Sequence, residues 1–243
     1  MSPEPASFKG FDKELFRFLD ELGKNNTVDW FHNNRDRYLK YLVDPSKAFV
    51  SELAPFFNRL NPAIRTEPKF NETLMRMNKD MRFAKGAPYR DYFLIHFGRF
   101  KLDSEFFLYF EAGNAQMGLF INQSRGENLY FRQNFSKYRT EILKIFEDYD
   151  LNNRFSFDYF KKMETVRAVS KFNAPKNIGL FEKHEMLLLH KAKMPSQKVL
   201  GSGAIIIEMI KMVSALYPLY CFAVFPQPLK EIKKFEDNFG LVS

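Results

Sequence analysis

TLMRMNKDMRFAKGAPYRDY, residues 73–92, decides how the rest of the chain is read. Side chains of an extended segment alternate between two faces. One face of this stretch carries Met75, Met77, Met81 and Phe83, interrupted by Lys79; the other carries Arg76, Asn78, Asp80 and Arg82. The pattern predicts a strand that borders a core on one side and offers a row of cation, amide, anion and cation on the other. Lys85, Gly86, Pro88, Tyr89 and Arg90 follow as a turn-forming loop rich in hydrogen-bond donors.

Downstream, residues 92–97 (YFLIHF), 106–110 (FFLYF) and 116–121 (QMGLFI) are short, aromatic and separated by turn residues. Both parities are apolar in the last two, which predicts strands covered on both faces. Their short connections predict antiparallel pairing. Upstream, the period becomes helical: Phe11, Leu15, Phe18, Leu19 and Leu22 share a stripe that Gly23 closes as a C-cap. Thr27 is placed to cap a second helix over 28–42, and Asp44-Pro45 to start a third that Asn61-Pro62 ends. Later, 129–149 is helical, 152–160 a surface segment, 164–170 a strand and 181–191 a short helix. Residues 203–217 form a buried helix stopped by Pro218, and the tail is an amphipathic helix; residues 219–225 fit strand and helix equally. The predicted fold is α+β, with three N-terminal helices and later helices packed on a mainly antiparallel sheet that includes 73–121. One domain, 1–243, is expected, with 1–9 a loose lead-in.

Composition bounds the function. The 243 residues are 45% hydrophobic, 27% charged and 17% aromatic, and 29 of them are Phe, which calls for a thick core. A net charge of +8 suits an anionic ligand or nucleic acid, although the 37 Lys and Arg are spread along the chain with no run of five like charges. The single cysteine, Cys221, cannot form an internal disulfide, and the N-terminus lacks the apolar stretch of a signal peptide; both point to the cytoplasm. The apolar stretches read as too short or too interrupted to span a bilayer, so no membrane partner is expected.

Two groups of residues then resemble a known family. Asn25, Asn26, Trp30, Phe31, Asn34, Arg35 and Tyr38 form NN-x-x-x-WF-x-x-NR-x-x-Y, and Asp80, Arg82, Phe83, Lys85, Pro88 and Tyr89 form D-x-RF-x-K…PY. Together these resemble the domain-of-unknown-function family numbered 2461, whose signature R-x-x-R-D-x-R-F is met at Arg76, Asp80, Arg82 and Phe83. Lys79 stands where the family has its second Arg, and the loop AKGAP is about one residue shorter and lacks the family's Asp-Lys pair. Further echoes are Glu111–Gly113, Gly118 and His184. The resemblance covers roughly residues 11–217. It implies a fold and a cytosolic setting, and it brings no activity with it.

The chemistry must therefore come from the residues. Arg76, Lys79, Asp80, Arg82, Lys85 and Tyr89 can form an anion site, because guanidinium forks grip phosphate or carboxylate bidentately. The competing reading is a structural ladder in which Asp80 neutralises Arg76 and Arg82. Trp30 and Phe31, with Asn34 and Arg35 beside them, could stack a base, or anchor a core while the amide and guanidinium fix neighbouring backbone. Asp80, His96 and Glu111 have the ligand types for a divalent cation but not the spacing, so no metal site is assigned. Cys221 lies among apolar residues unsuited to a nucleophile. There is no P-loop and no dinucleotide-binding glycine fingerprint, so the sequence names no cofactor. The leading expectation is binding, with or without turnover, of a small phosphate- or carboxylate-bearing ligand. Two alternatives stay open, a nucleic-acid-associated basic protein and a structural interaction protein. Oligomeric state is not legible.

Overall fold

The computed structural model describes residues 7–82, 85–162 and 164–240. Helix α1, Glu14–Lys24, buries Leu15, Phe18, Leu19 and Leu22 on one side. It runs past Gly23 and ends at Asn25, whose backbone N–H and side-chain amide both donate to the Glu21 carbonyl at 3.0 and 2.9 Å. Thr27 caps α2, Val28–Asn33, by accepting from the Trp30 N–H at 3.2 Å. The second helix is not continuous over 28–42. It breaks at Asn34 (φ −109°, ψ 13°), resumes as α3 (Arg35–Tyr38), and widens into a π-turn, Leu39–Val43, that leads directly into α4, Asp44–Leu60. Single π-turns inside helices recur at functional sites, and this one follows Tyr38.

Among the described residues, six strands form one antiparallel sheet: β1 (Phe93–Phe97), β2 (Glu105–Glu111), β3 (Asn114–Asn122), β4 (Phe155–Lys161), β5 (Glu164–Val169) and β6 (Met186–Lys191), in the order β1-β2-β3-β6-β4-β5. Gly118 of β3 faces His190 of β6, and a Cβ there would lie 2.1 Å from the Leu189 carbonyl oxygen, so the close pairing needs glycine. The class is thus α+β, with the N-terminal helices packed on the sheet.

By its internal contacts the chain divides into two units. One comprises Met1–Phe97, Phe107–Gln116 and Met194–Ile210, and the other Gly98–Phe106, Met117–Lys193 and Lys211–Ser243. In the first, Phe11 and Phe16 pack on Phe110 of β2, with ring centroids at 4.8 and 6.0 Å, and Phe57 of α4 stacks on Phe97 of β1 at 4.1 Å. In the second, helices α5 (Phe131–Lys137), α6 (Arg139–Asp148), α7 (Ala174–Asn177) and α8 (Leu180–Lys183) surround a Phe cluster. Its centre is Phe181, within 5.2–5.6 Å of Phe131, Phe135, Phe157 and Phe172.

Several local expectations need correction. Residues 73–82 are not a continuous strand. Single bridges join Leu74 to Ile95 and Asn78 to Tyr89, with Met75 N–H donating to Leu94 and Arg90 N–H to Met77. The alternation therefore fades along the segment: Met77 is buried, Met75 half-buried and Met81 exposed, while Phe83 lies outside the described residues. Residues 152–160 are no surface segment; from Phe155 they form β4, which pairs with both β5 and β6. Of the helix expected over 181–191, only α8 is helical before the chain enters β6. After α9 (Gln197–Leu200), α10 runs Ala204–Val224 straight through Pro218, so 219–224 are helical; α11, Pro228–Phe239, follows. Proline here withholds an N–H from the Ser214 carbonyl and crowds it with its ring, while every residue from Met212 to Val224 other than Pro218 and Ser214 is a buried apolar or aromatic side chain. By length and composition α10 could cross a membrane, contrary to the reading of short, interrupted stretches; 72% of its most apolar window is buried inside the protein.

Candidate functional site

The two motif groups meet in the first unit. Asn26 grips the backbone of Tyr89 at both ends: its Nδ2 donates to the Tyr89 carbonyl and its Oδ1 accepts from the Tyr89 N–H, each at 3.0 Å. The Tyr89 ring then stacks on Phe31 of α2, with centroids 4.0 Å apart and planes 12° from parallel. Phe31 touches Tyr38 at 5.1 Å, and Phe18 of α1 closes the aromatic group against Trp30, Phe31 and Tyr38 at 5.6–6.2 Å. The clamp and the stack fix Tyr89 against α2 and the turn before it.

Charge gathers on one phenol. Burial pushes the Tyr38 hydroxyl well above its ordinary pKa, and the Arg35 and Arg76 guanidiniums act on it in the opposite sense. Tyr38 thus keeps its proton at neutral pH and can donate it in a hydrogen bond. Arg35 and Arg76 come from different elements and are both exposed. In the amide orientation that satisfies both groups, the Asn71 oxygen accepts from Arg76 Nε and Nη2 at 3.2 and 3.3 Å. Among the described residues neither arginine is matched to a carboxylate.

The remaining predicted residues are placed differently. Asp80 and Arg82 close on each other, Nε to Oδ1 at 2.9 Å and Nη2 to Oδ2 at 2.7 Å, with Arg82 80% exposed; Asp80 is not paired with Arg76. The Arg82 guanidinium beside Asp80 holds its carboxyl below the usual range. Lys79 is half-buried, with its N–H on the Pro88 carbonyl, and Lys85 is exposed in the loop. Arg90 spends its guanidinium on the carbonyls of Arg76 and Asn78, at 3.0 and 2.9 Å, bracing the segment from within. Trp30 and Asn34 are structural in their contacts: Asn34 donates to the Trp30 carbonyl and accepts from Arg37, which is salt-bridged to Glu21 at 2.6 Å.

Glu111 stands apart at the end of β2. It accepts from the Tyr109 hydroxyl at 3.1 Å and from Asn114 at 2.6 Å, and it lines a 140 Å³ cavity with Asp91, Tyr92, Tyr109 and Ala112. The trio weighed for a metal is not assembled, and among the described residues no three His, Cys, Asp or Glu gather in a cation-sized group. Burial raises the Cys221 thiol well above its ordinary value. In the second unit Asp158 pairs with Arg167 and, at 3.0 Å, with His190, tying β4, β5 and β6 together.

Asn26, Phe31 and Tyr38 were part of the quoted pattern but were not assigned to the site. The signal was available in their pairing: an amide fixed to backbone 63 residues away shows only once the two motif groups are brought together.

A family model described as "Conserved hypothetical protein (DUF2461)" matches residues 14–222. No curated protein and no solved structure gives a significant match.

Proposed function

We propose, for a chain that belongs to the DUF2461 family and so to a group described without an activity, that it binds a small phosphate- or carboxylate-bearing ligand between Arg35 and Arg76. The Tyr38 hydroxyl donates to the anion, and the Phe31–Tyr89 stack forms the adjoining wall. One observation carries this reading. Arg37, Arg82, Arg99 and Arg167 each meet a carboxylate, whereas Arg35 and Arg76, whose charges both act on Tyr38, meet none among the described residues. Two like charges brought toward one phenol repel each other, and an anion between them removes that cost. Charged hydrogen bonds of this kind contribute about 1.5–3 kcal/mol each. Asp80 and Arg82, mutually neutralised, sit at the rim and tune the local field rather than grip the ligand.

A thermal-shift screen over sugar monophosphates, nucleoside monophosphates and di- and tricarboxylates tests this. A ligand at 100 times its Kd stabilises the folded state by about 2.7 kcal/mol. The shift should disappear in Arg35→Gln/Arg76→Gln while the unliganded midpoint holds. A shift that survives both substitutions places the ligand elsewhere and sinks the proposal. Salt separates a pocketed anion from a polynucleotide, whose affinity falls with a slope near −0.9 per phosphate neutralised.

A further inference from the structure

A larger depression lies in the second unit, and nothing in the reading above uses it. Its volume, 640 Å³, falls within the range of small-molecule sites, roughly 300–1,000 Å³. One wall is the segment following β3. There Gln123 is pinned by its N–H to the Glu185 carbonyl at 2.8 Å and by its side-chain amide to the carbonyls of Phe181 and His184. Asn122 holds the turn from behind: it donates to the Leu102 carbonyl at 2.6 Å and accepts from the Ser124 N–H and hydroxyl at 3.0 and 2.7 Å. Arg125 projects from this fixed turn. The other wall is α5. Its Phe131, Asn134 and Phe135 are buried, so positions 132, 133, 136 and 137 must share the opposite face, which presents Arg132, Gln133, Ser136 and Lys137 to the depression.

The lining therefore holds three cations and no carboxylate. Glu185 stands 3.6 Å from Arg132 with both side chains more than half exposed, a contact that solvent largely screens. Leu129 is the only sizeable apolar side chain in the lining, and no aromatic ring is present to stack a base. Walls of this kind suit neither an apolar ligand nor a nucleobase. They suit a compact solute with several negative charges, met by guanidinium forks from two facing elements and by amide and hydroxyl groups between them.

We infer that this depression is a second anion site, separate from Arg35 and Arg76, and that it takes a small metabolite carrying two or more phosphates. Three cations from two walls match a ligand whose phosphates are separated by a short linker.

The test is calorimetric titration of pyrophosphate, a sugar bisphosphate and orthophosphate into the full chain carrying Arg35→Gln and Arg76→Gln, so that the first site is silent. The two bisphosphorylated probes should bind saturably and at least tenfold more tightly than orthophosphate. Adding Arg125→Gln or Arg132→Gln, both at exposed positions, should weaken them at least tenfold with an unchanged melting midpoint. Equal affinity for orthophosphate and the bisphosphorylated probes, or affinity indifferent to Arg125 and Arg132, overturns the inference. So does tighter binding of a single-stranded oligonucleotide with a steep salt dependence, which would make the surface a polynucleotide contact. Failure here leaves the Arg35–Arg76 reading standing, because that site is absent from the titrated chain.

Discussion

Two arginine–aspartate pairs in this protein have nearly the same geometry and opposite meanings. Arg82 meets Asp80 through two bonds of 2.9 and 2.7 Å, and Arg99 meets Asp103 through two of 2.8 and 3.0 Å. The first pair stands in solvent, with Arg82 80% exposed. In the second, Asp103 is fully buried, and the remaining Arg99 N–H groups donate to the Val224 and Asn128 carbonyls at 2.7 and 2.8 Å. Burial alone turns one pair into a scaffold that joins a loop to the end of α10 and leaves the other a screened surface contact. Arg35 and Arg76, which meet no carboxylate among the described residues, are a third case, for which we propose an anionic ligand as the counter-charge.

The comparison breaks most easily at the buried pair. Asp103→Ala strands a guanidinium among carbonyls and removes the acceptor of the Arg99 N–H, so urea denaturation should register a loss of about 3–5 kcal/mol. A loss under about 1 kcal/mol would put the two pairs in the same class.

The Asn26 clamp comes next. Asn26→Ala removes two hydrogen bonds at a half-buried position, at about 1 kcal/mol each. Stability should fall by about 2 kcal/mol, and the anion shift should weaken as Tyr89 loosens from α2. A stability loss with undiminished ligand binding would detach the clamp from the site.

A smaller effect follows from burial acting on one charge. His184 stacks on Tyr159, with centroids 3.6 Å apart; burial, then Lys183, lower its pKa below 6.5. The unfolded chain therefore binds the proton more readily than the folded one. The stabilisation is full above pH 6.5 and is lost as the pH falls through the lowered folded-state value. Melting midpoints of wild type and His184→Gln, followed from pH 7.5 to 5, should converge on the acid side. A constant gap would mean that the imidazole packs without a proton-linked cost.

Asp80→Asn should do least to the fold. With both partners in solvent its midpoint should match wild type, while the extra positive charge holds or raises anion affinity at the neighbouring site. A clear destabilisation would give this pair the scaffold role now assigned to Arg99 and Asp103.

Sequence exposed the partners of these interactions unevenly. Arg76, Asp80, Arg82 and Tyr89 stood out because they cluster along the chain, yet clustering says nothing about burial, and Arg99–Asp103 passed unremarked with the same residue types. The three N-terminal strands were legible because aromatic runs alternated with clear turns. Strand β4 was not, because Asn152, Asn153 and Arg154 suggest a surface just before FSFDYFK enters the sheet. In β6 the run MLLLHK satisfies helical and extended spacing equally, and only pairing with β3 and β4 decides it. Pro218 stopped the predicted helix because local propensity was weighed without the burial that carries α10 through it. Tyr38 stands within a motif, but the charge of Arg76 that acts on it lies 38 positions further on.

The central claim is that Arg35 and Arg76 take their counter-charge from a bound anion. Titration calorimetry with the best monophosphate or carboxylate ligand of the thermal screen, on wild type and on Arg76→Gln, tests it most directly. Affinity should fall at least tenfold, equivalent to about 1.4 kcal/mol, with the unliganded melting midpoint unchanged. Equal affinity in the two chains would contradict the claim.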